Sequence, residues 1–87
     1  MPKAKVILLT EARLQLRDIA MVHKLKVGPR SAKRITDQIL KSLRRLEEFP
    51  QLGVEPKSEK LVAAGYRMLI SGEYLCFYQI QGDTIYV

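Results

Sequence analysis

Apolar and polar positions divide the chain into a short apolar run, two amphipathic stretches, an irregular segment and three strand-like runs. Lys5–Leu9 reads as a strand, and Thr10 can cap a following helix by accepting an orphan backbone N–H with its hydroxyl. Over Glu11–Lys24 the residues Ala12, Leu16, Ile19, Ala20 and His23 share one arc at about 100° per residue, which predicts an amphipathic helix with one buried face and His23 near its end. Leu14 and Met21 lie roughly opposite that stripe. They form a second, smaller apolar strip that either packs elsewhere on the chain or awaits a partner.

Lys24–Gly28 is a short connector, and Gly28-Pro29 signals a new helix because proline suits the first turn, where its missing N–H is not needed. Ala32, Ile35, Ile39, Leu43 and Leu46 mark the buried stripe of this second helix. Arg30, Arg34, Asp37, Lys41, Arg44, Arg45 and Glu48 occupy its opposite side. Running to Phe49 before Pro50 stops it, the helix would be about 30 Å long. Two helices with a short link predict an antiparallel hairpin. Pro50–Gly65 reads as a long loop with a strand start at its end, and loops of that length in a small domain usually carry function. Tyr66–Ile70, Tyr74–Ile80 and Thr84–Val87 then read as strands separated by tight Gly-containing turns. The order β-α-α-β-β-β predicts an α+β domain in which a helical hairpin covers one face of a mostly antiparallel sheet.

At 87 residues the chain has room for a single core, so residues 1–87 are expected to be one domain and a multidomain enzyme is excluded. An apolar fraction of 47% with 28% charged residues is that of a folding sequence. One cysteine, Cys76, gives no internal disulfide and reads as a core thiol of a cytoplasmic protein. One histidine, His23, leaves no Cys/His cluster for a metal, and no cofactor signature is present: there is no phosphate-binding Gly loop, dinucleotide fingerprint or nucleophile elbow. The apolar run Val6–Leu9 is too short for a signal-peptide core or a membrane span, so no membrane partner is expected. The net charge of +6 points instead to a polyanion. That charge is uneven: residues 1–46 hold twelve bases and three acids, whereas residues 47–87 hold three bases and six acids.

Among the few cations of the second half, Arg67 stands in a strand. If Tyr66, Met68 and Ile70 point into the core, alternation puts Arg67 on the open sheet face, where a guanidinium can grip a phosphate bidentately; the competing reading pairs it with Glu73 or Asp83. Lys, Arg, Glu and Tyr suffice to cleave RNA without a metal, because the substrate supplies its own 2′-hydroxyl nucleophile.

Thr10-x-Ala12 with Leu16 and Ile19, Leu43-x-x-Leu46-x-x-Phe49-Pro50-x-x-Gly53, Gly65-Tyr66-Arg67, Gly72-x-Tyr74 and Phe77-Tyr78-x-Ile80 together resemble the RelE/ParE toxins of bacterial type II toxin–antitoxin systems. The resemblance implies the RelE-like fold and a cognate antitoxin as partner. In the RelE-like branch it implies a ribosome-dependent mRNA endoribonuclease, an mRNA interferase that blocks translation. In the ParE-like branch it implies a DNA gyrase inhibitor. Carried over, Arg67 matches the strand arginine that contacts the scissile phosphate, Lys57 and Lys60 lie in the loop where basic groups are placed, and Glu55, with Glu59 beside it, is a candidate base. Family members usually extend the last strand into a segment bearing Arg, His or Tyr. This sequence stops at Val87, so the C-terminal strand is expected to be truncated and nuclease activity small or absent. A third reading is a non-catalytic module that binds RNA or an acidic antitoxin through its basic helices. Leu14 and Met21 with Arg17 are the expected antitoxin contacts, as apolar anchors ringed by charge.

Overall fold

A computed structural model describes residues 3–87 and places the elements in the expected order. Strand β1 (Lys5–Ile7) leads into α1 (Thr10–Lys26) and α2 (Pro29–Arg44), which form the helical hairpin. After a 3-10 turn at Arg45–Glu47 and an irregular stretch come a short helix α3 (Glu59–Ala63) and the strands β2 (Tyr66–Ser71), β3 (Tyr74–Gln81) and β4 (Thr84–Tyr86). The sheet order is β1-β4-β3-β2. β2/β3 and β3/β4 are antiparallel hairpins, while β1 runs parallel to β4 with Val6 beside Ile85. The fold is therefore α+β with a mostly antiparallel sheet.

Three local features differ from the pattern reading. Thr10 is the first residue of α1 rather than its cap; Leu9 takes the cap position, anchored by its N–H donating to Val87 O at 3.0 Å. The second helix ends at Arg44 and tightens into the 3-10 turn Arg45–Glu47, five residues short of the expected Phe49. Within the expected loop, Ser58 caps α3 by accepting from the Leu61 N–H at 3.4 Å. A five-residue helix is too short to show a period.

The core is one cluster in which Ile39, Leu43 and Leu46 meet Leu69, Tyr78 and Ile85 of the sheet, with Leu16 and Ile19 of α1 half-buried at its margin. Gly28 lets the helical hairpin reverse tightly: its φ of 139° lies where L side chains are strained, and Pro29 opens α2 directly after it.

The face assignment of β2 is opposite to the expectation. Leu69 and Ser71 are buried whereas Ile70 is 60% exposed, so Arg67, Leu69 and Ser71 face the helices with their partners Tyr78, Cys76 and Tyr74. Tyr66, Met68 and Ile70 lie on the open face. Local partners reconcile the polar inner set: Ser71 Oγ is 2.9 Å from Ser42 Oγ on α2, and the guanidinium of Arg67 finds backbone carbonyls.

Candidate functional site

The β2 edge of the sheet is covered by the segment that follows the 3-10 turn. Val54 forms an isolated antiparallel bridge with Met68, its N–H donating to Met68 O and its carbonyl accepting from Met68 N, both at 2.8 Å. This bridge holds Pro50–Gly53 over the inner ends of Arg67 and Tyr78. Tyr78, fully buried, accepts from Gly53 N at 3.0 Å and donates its hydroxyl to Pro50 O at 2.9 Å. Arg67 Nη2 donates to Gln51 O at 3.1 Å and to Gly53 O at 2.5 Å. The four bonds form a clasp between loop and sheet. Only glycine fits at position 53, since a Cβ there would lie 2.6 Å from Met68 O and 2.7 Å from Tyr78 Oη.

Arg67 is thus on the inner face, bound to carbonyls of its own chain, and neither Glu73 nor Asp83 is its partner. Its Nε is buried without a hydrogen-bond partner among the described residues. Glu55 follows the bridging Val54 and is exposed at the β2 edge, Lys57 is exposed just beyond it, and Lys60 is exposed on α3, which packs against β2. Among the described residues none of these three side chains makes an ion pair or hydrogen bond. The loop and strand are brought together, but no constellation closes around an empty point between Arg67 and the loop groups.

His23 and Tyr74 form a separate polar pair, with Nε2 and the hydroxyl oxygen 2.8 Å apart and the rings edge to face. Tyr74 is four residues from Tyr78, so this pair lies about 13 Å along β3 from the clasp and cannot share its chemistry. Cys76 faces the core, where burial raises its thiol above the ordinary value.

Apolar surface is the other conspicuous feature. Leu14 and Met21 are about half exposed on the outer side of α1, with the exposed Arg17 between them. The open sheet face adds Ile70, Leu75 and Phe77, flanked by the partly exposed Tyr66 and Met68. A cleft of about 250 Å³ separates Leu8, Ala12 and Leu16 from the β3 backbone around Cys76. β4 pairs only with the last three residues of β3, so Tyr74–Tyr78 have no strand on that side. The sequence pattern missed the open face because β2 turns Tyr66, Met68 and Ile70 outward and Arg67 and Ser71 toward the helices, the reverse of the usual alternation.

The architecture is that of a compact α+β domain, a helical hairpin on one face of a small mixed sheet with a loop clasped to the edge strand. The family model described as "ParE toxin of type II toxin-antitoxin system, parDE" matches residues 6–87, and the chain belongs to that family. Among solved structures, a chain titled "Chromosomal ParDE TA system from P. aeruginosa" superposes with a TM-score of 0.80, covering 98% of this chain and 90% of that chain at 16% identity. At that identity the likeness speaks for the fold. No curated protein matches the chain. The protein is therefore a toxin of a type II toxin–antitoxin system with a cognate antitoxin as its partner. Among the described residues no helix is long and apolar enough to cross a membrane.

Proposed function

We propose that this toxin acts in the cytoplasm by binding and poisoning DNA gyrase rather than by cutting mRNA, and that its antitoxin neutralises it by covering exposed apolar surface. The observation that carries this reading is the position of Arg67. A cation committed to Gln51 O and Gly53 O is a structural tie, and releasing it for a phosphate would leave the part-buried Gly53 carbonyl without its donor. The ParE family match supports the same direction. A gyrase poison needs a binding surface and no acid, base or phosphate clamp of its own. The test adds the purified protein to gyrase and relaxed plasmid. Inhibited supercoiling with accumulation of cleaved DNA, and cellular transcripts left intact on induction, is the expected outcome. Ribosome-dependent cuts mapped by primer extension, with supercoiling untouched, would overturn it.

One observation favours the second reading, mRNA cleavage: the Val54–Met68 bridge brings the segment bearing Glu55, Lys57 and Lys60 to the strand bearing Arg67. In that reading Glu55 would serve as base and the two lysines would hold the phosphate. Replacing both lysines by Ala would then abolish transcript cleavage, and it leaves the clasp intact. On the gyrase reading the same variant keeps full inhibition of supercoiling.

For the antitoxin, we assign Leu14, Met21 and Arg17 to its contact surface, because exposed apolar anchors beside a cation match the anatomy of protein interfaces.

A further inference from the structure

The strongest charged feature of the molecule lies away from both the clasp and the apolar surfaces. Arg30, Lys33, Arg34, Lys41, Arg44 and Arg45 are all exposed on α2 and the turn that follows it. At about 100° per residue they occupy an arc of about 120° centred opposite the buried Ile39 stripe. Arg30 to Arg44 spans about 21 Å along the helix axis. Between Arg30 and Arg45 the arc holds a single acid, Asp37, and no apolar residue; Glu48, just past the 3-10 turn, is paired with Lys3. Among the described residues the only ion pair joins Lys3 to Glu48, so the stripe is uncompensated by the chain itself.

We infer that this outer face of α2 docks duplex DNA through its phosphate backbone, whichever target the toxin inhibits. Three observations choose this partner. An acidic protein would be expected to meet apolar anchors at the centre of its contact, and the arc offers none. A single strand would be held by stacking on aromatic rings, and the arc has no aromatic residue. The stripe is also organised across its width: Lys33 and Arg44 form one margin, Arg34 and Arg45 the other, and Asp37 falls near the middle. A helix about 10–12 Å across matches the roughly 12 Å major groove of B-form DNA, so the two margins face the two phosphate walls and the acid stays clear of them. The deep, narrow major groove of A-form RNA does not admit such a helix. Because the stripe lies on the side of α2 away from the sheet, docking requires no movement of the core.

The test measures binding of the full chain to a 20-base-pair DNA duplex of arbitrary sequence by fluorescence anisotropy between 50 and 200 mM KCl, with a 20-base-pair RNA duplex and a 20-residue polyglutamate as parallel probes. Four to five phosphate contacts predict a loss of DNA affinity of about 150-fold to about 500-fold over that salt range. The triple variant Lys33→Gln, Arg34→Gln and Arg44→Gln should flatten the log–log salt slope by about 2.7 and weaken binding at least tenfold at about 100 mM salt. Glutamine retains helix propensity, and unchanged circular dichroism verifies the fold. The control variant Lys3→Gln, Lys5→Gln and Lys26→Gln has the same net charge and should keep the slope within about one unit of the parent. The inference is overturned by an equal loss in both variants, by absent DNA binding at 50 mM, by RNA binding as tight as DNA, or by polyglutamate binding with the same affinity.

Discussion

Tyr78 shows how one side chain can hold a loop to a sheet edge. Its hydroxyl bonds two backbone groups of the loop from a position with no solvent access, so Tyr78→Phe leaves a buried N–H of Gly53 and the carbonyl of Pro50 unpaired. The expected loss is about 1–3 kcal/mol of unfolding free energy, read from urea denaturation. Gly53→Ala should cost more, because the added methyl meets the Met68 carbonyl, which belongs to the ladder and cannot yield. Cys76 predicts a pH dependence. Its pKa is raised in the fold by burial, so the thiol's contribution is fully present below the ordinary thiol value of about 8.5 and is lost as pH climbs from there through the folded value. Thermal scans across that alkaline window should show a steeper decline for the parent than for Cys76→Ala. Arg67 marks the limit of sequence reading at this scale. The arginine was visible as unusual, but a charge in a strand reads as solvent-facing, and the carbonyls that accept it come from a loop fourteen or more positions away.

At the scale of elements, legibility followed period. α2 has a strict apolar stripe, and its buried residues Ala32, Ile39 and Leu43 are those the 3.6-residue pattern selects. β2 has no such contrast, since Met68, Leu69 and Ile70 are apolar in succession, and the inward face was decided by Ser42 and the loop carbonyls rather than by hydrophobicity. α3 and the Val54 bridge were illegible for a different reason: one is shorter than two turns and the other is a single residue pair. The outer strip of α1 was legible, and it makes a prediction. Leu14→Glu with Met21→Glu should leave the circular dichroism and melting temperature of the toxin nearly unchanged, because both side chains are about half exposed. The same pair should weaken antitoxin binding by tenfold or more in calorimetry; unchanged affinity would move the antitoxin to the open sheet face.

Across the whole molecule, the sheet closes by joining its first strand to its last. β1 lies at one edge, parallel to β4, with Val6 packed on the core and the Ala4 N–H bonded to Glu47 O. The amide protons of Leu9 and Val87, which bond Val87 O and Ile7 O across this junction, should therefore exchange in one cooperative opening rather than independently. Pairing over so long a stretch of chain also slows folding. During synthesis at about 5–20 residues per second, β1 emerges roughly 4–15 s before Thr84–Tyr86 exist to receive it. For those seconds the nascent chain carries its helices without a finished sheet. A toxin molecule still being made therefore lacks the partner of β1, and its closed sheet exists only once Thr84–Tyr86 has been added.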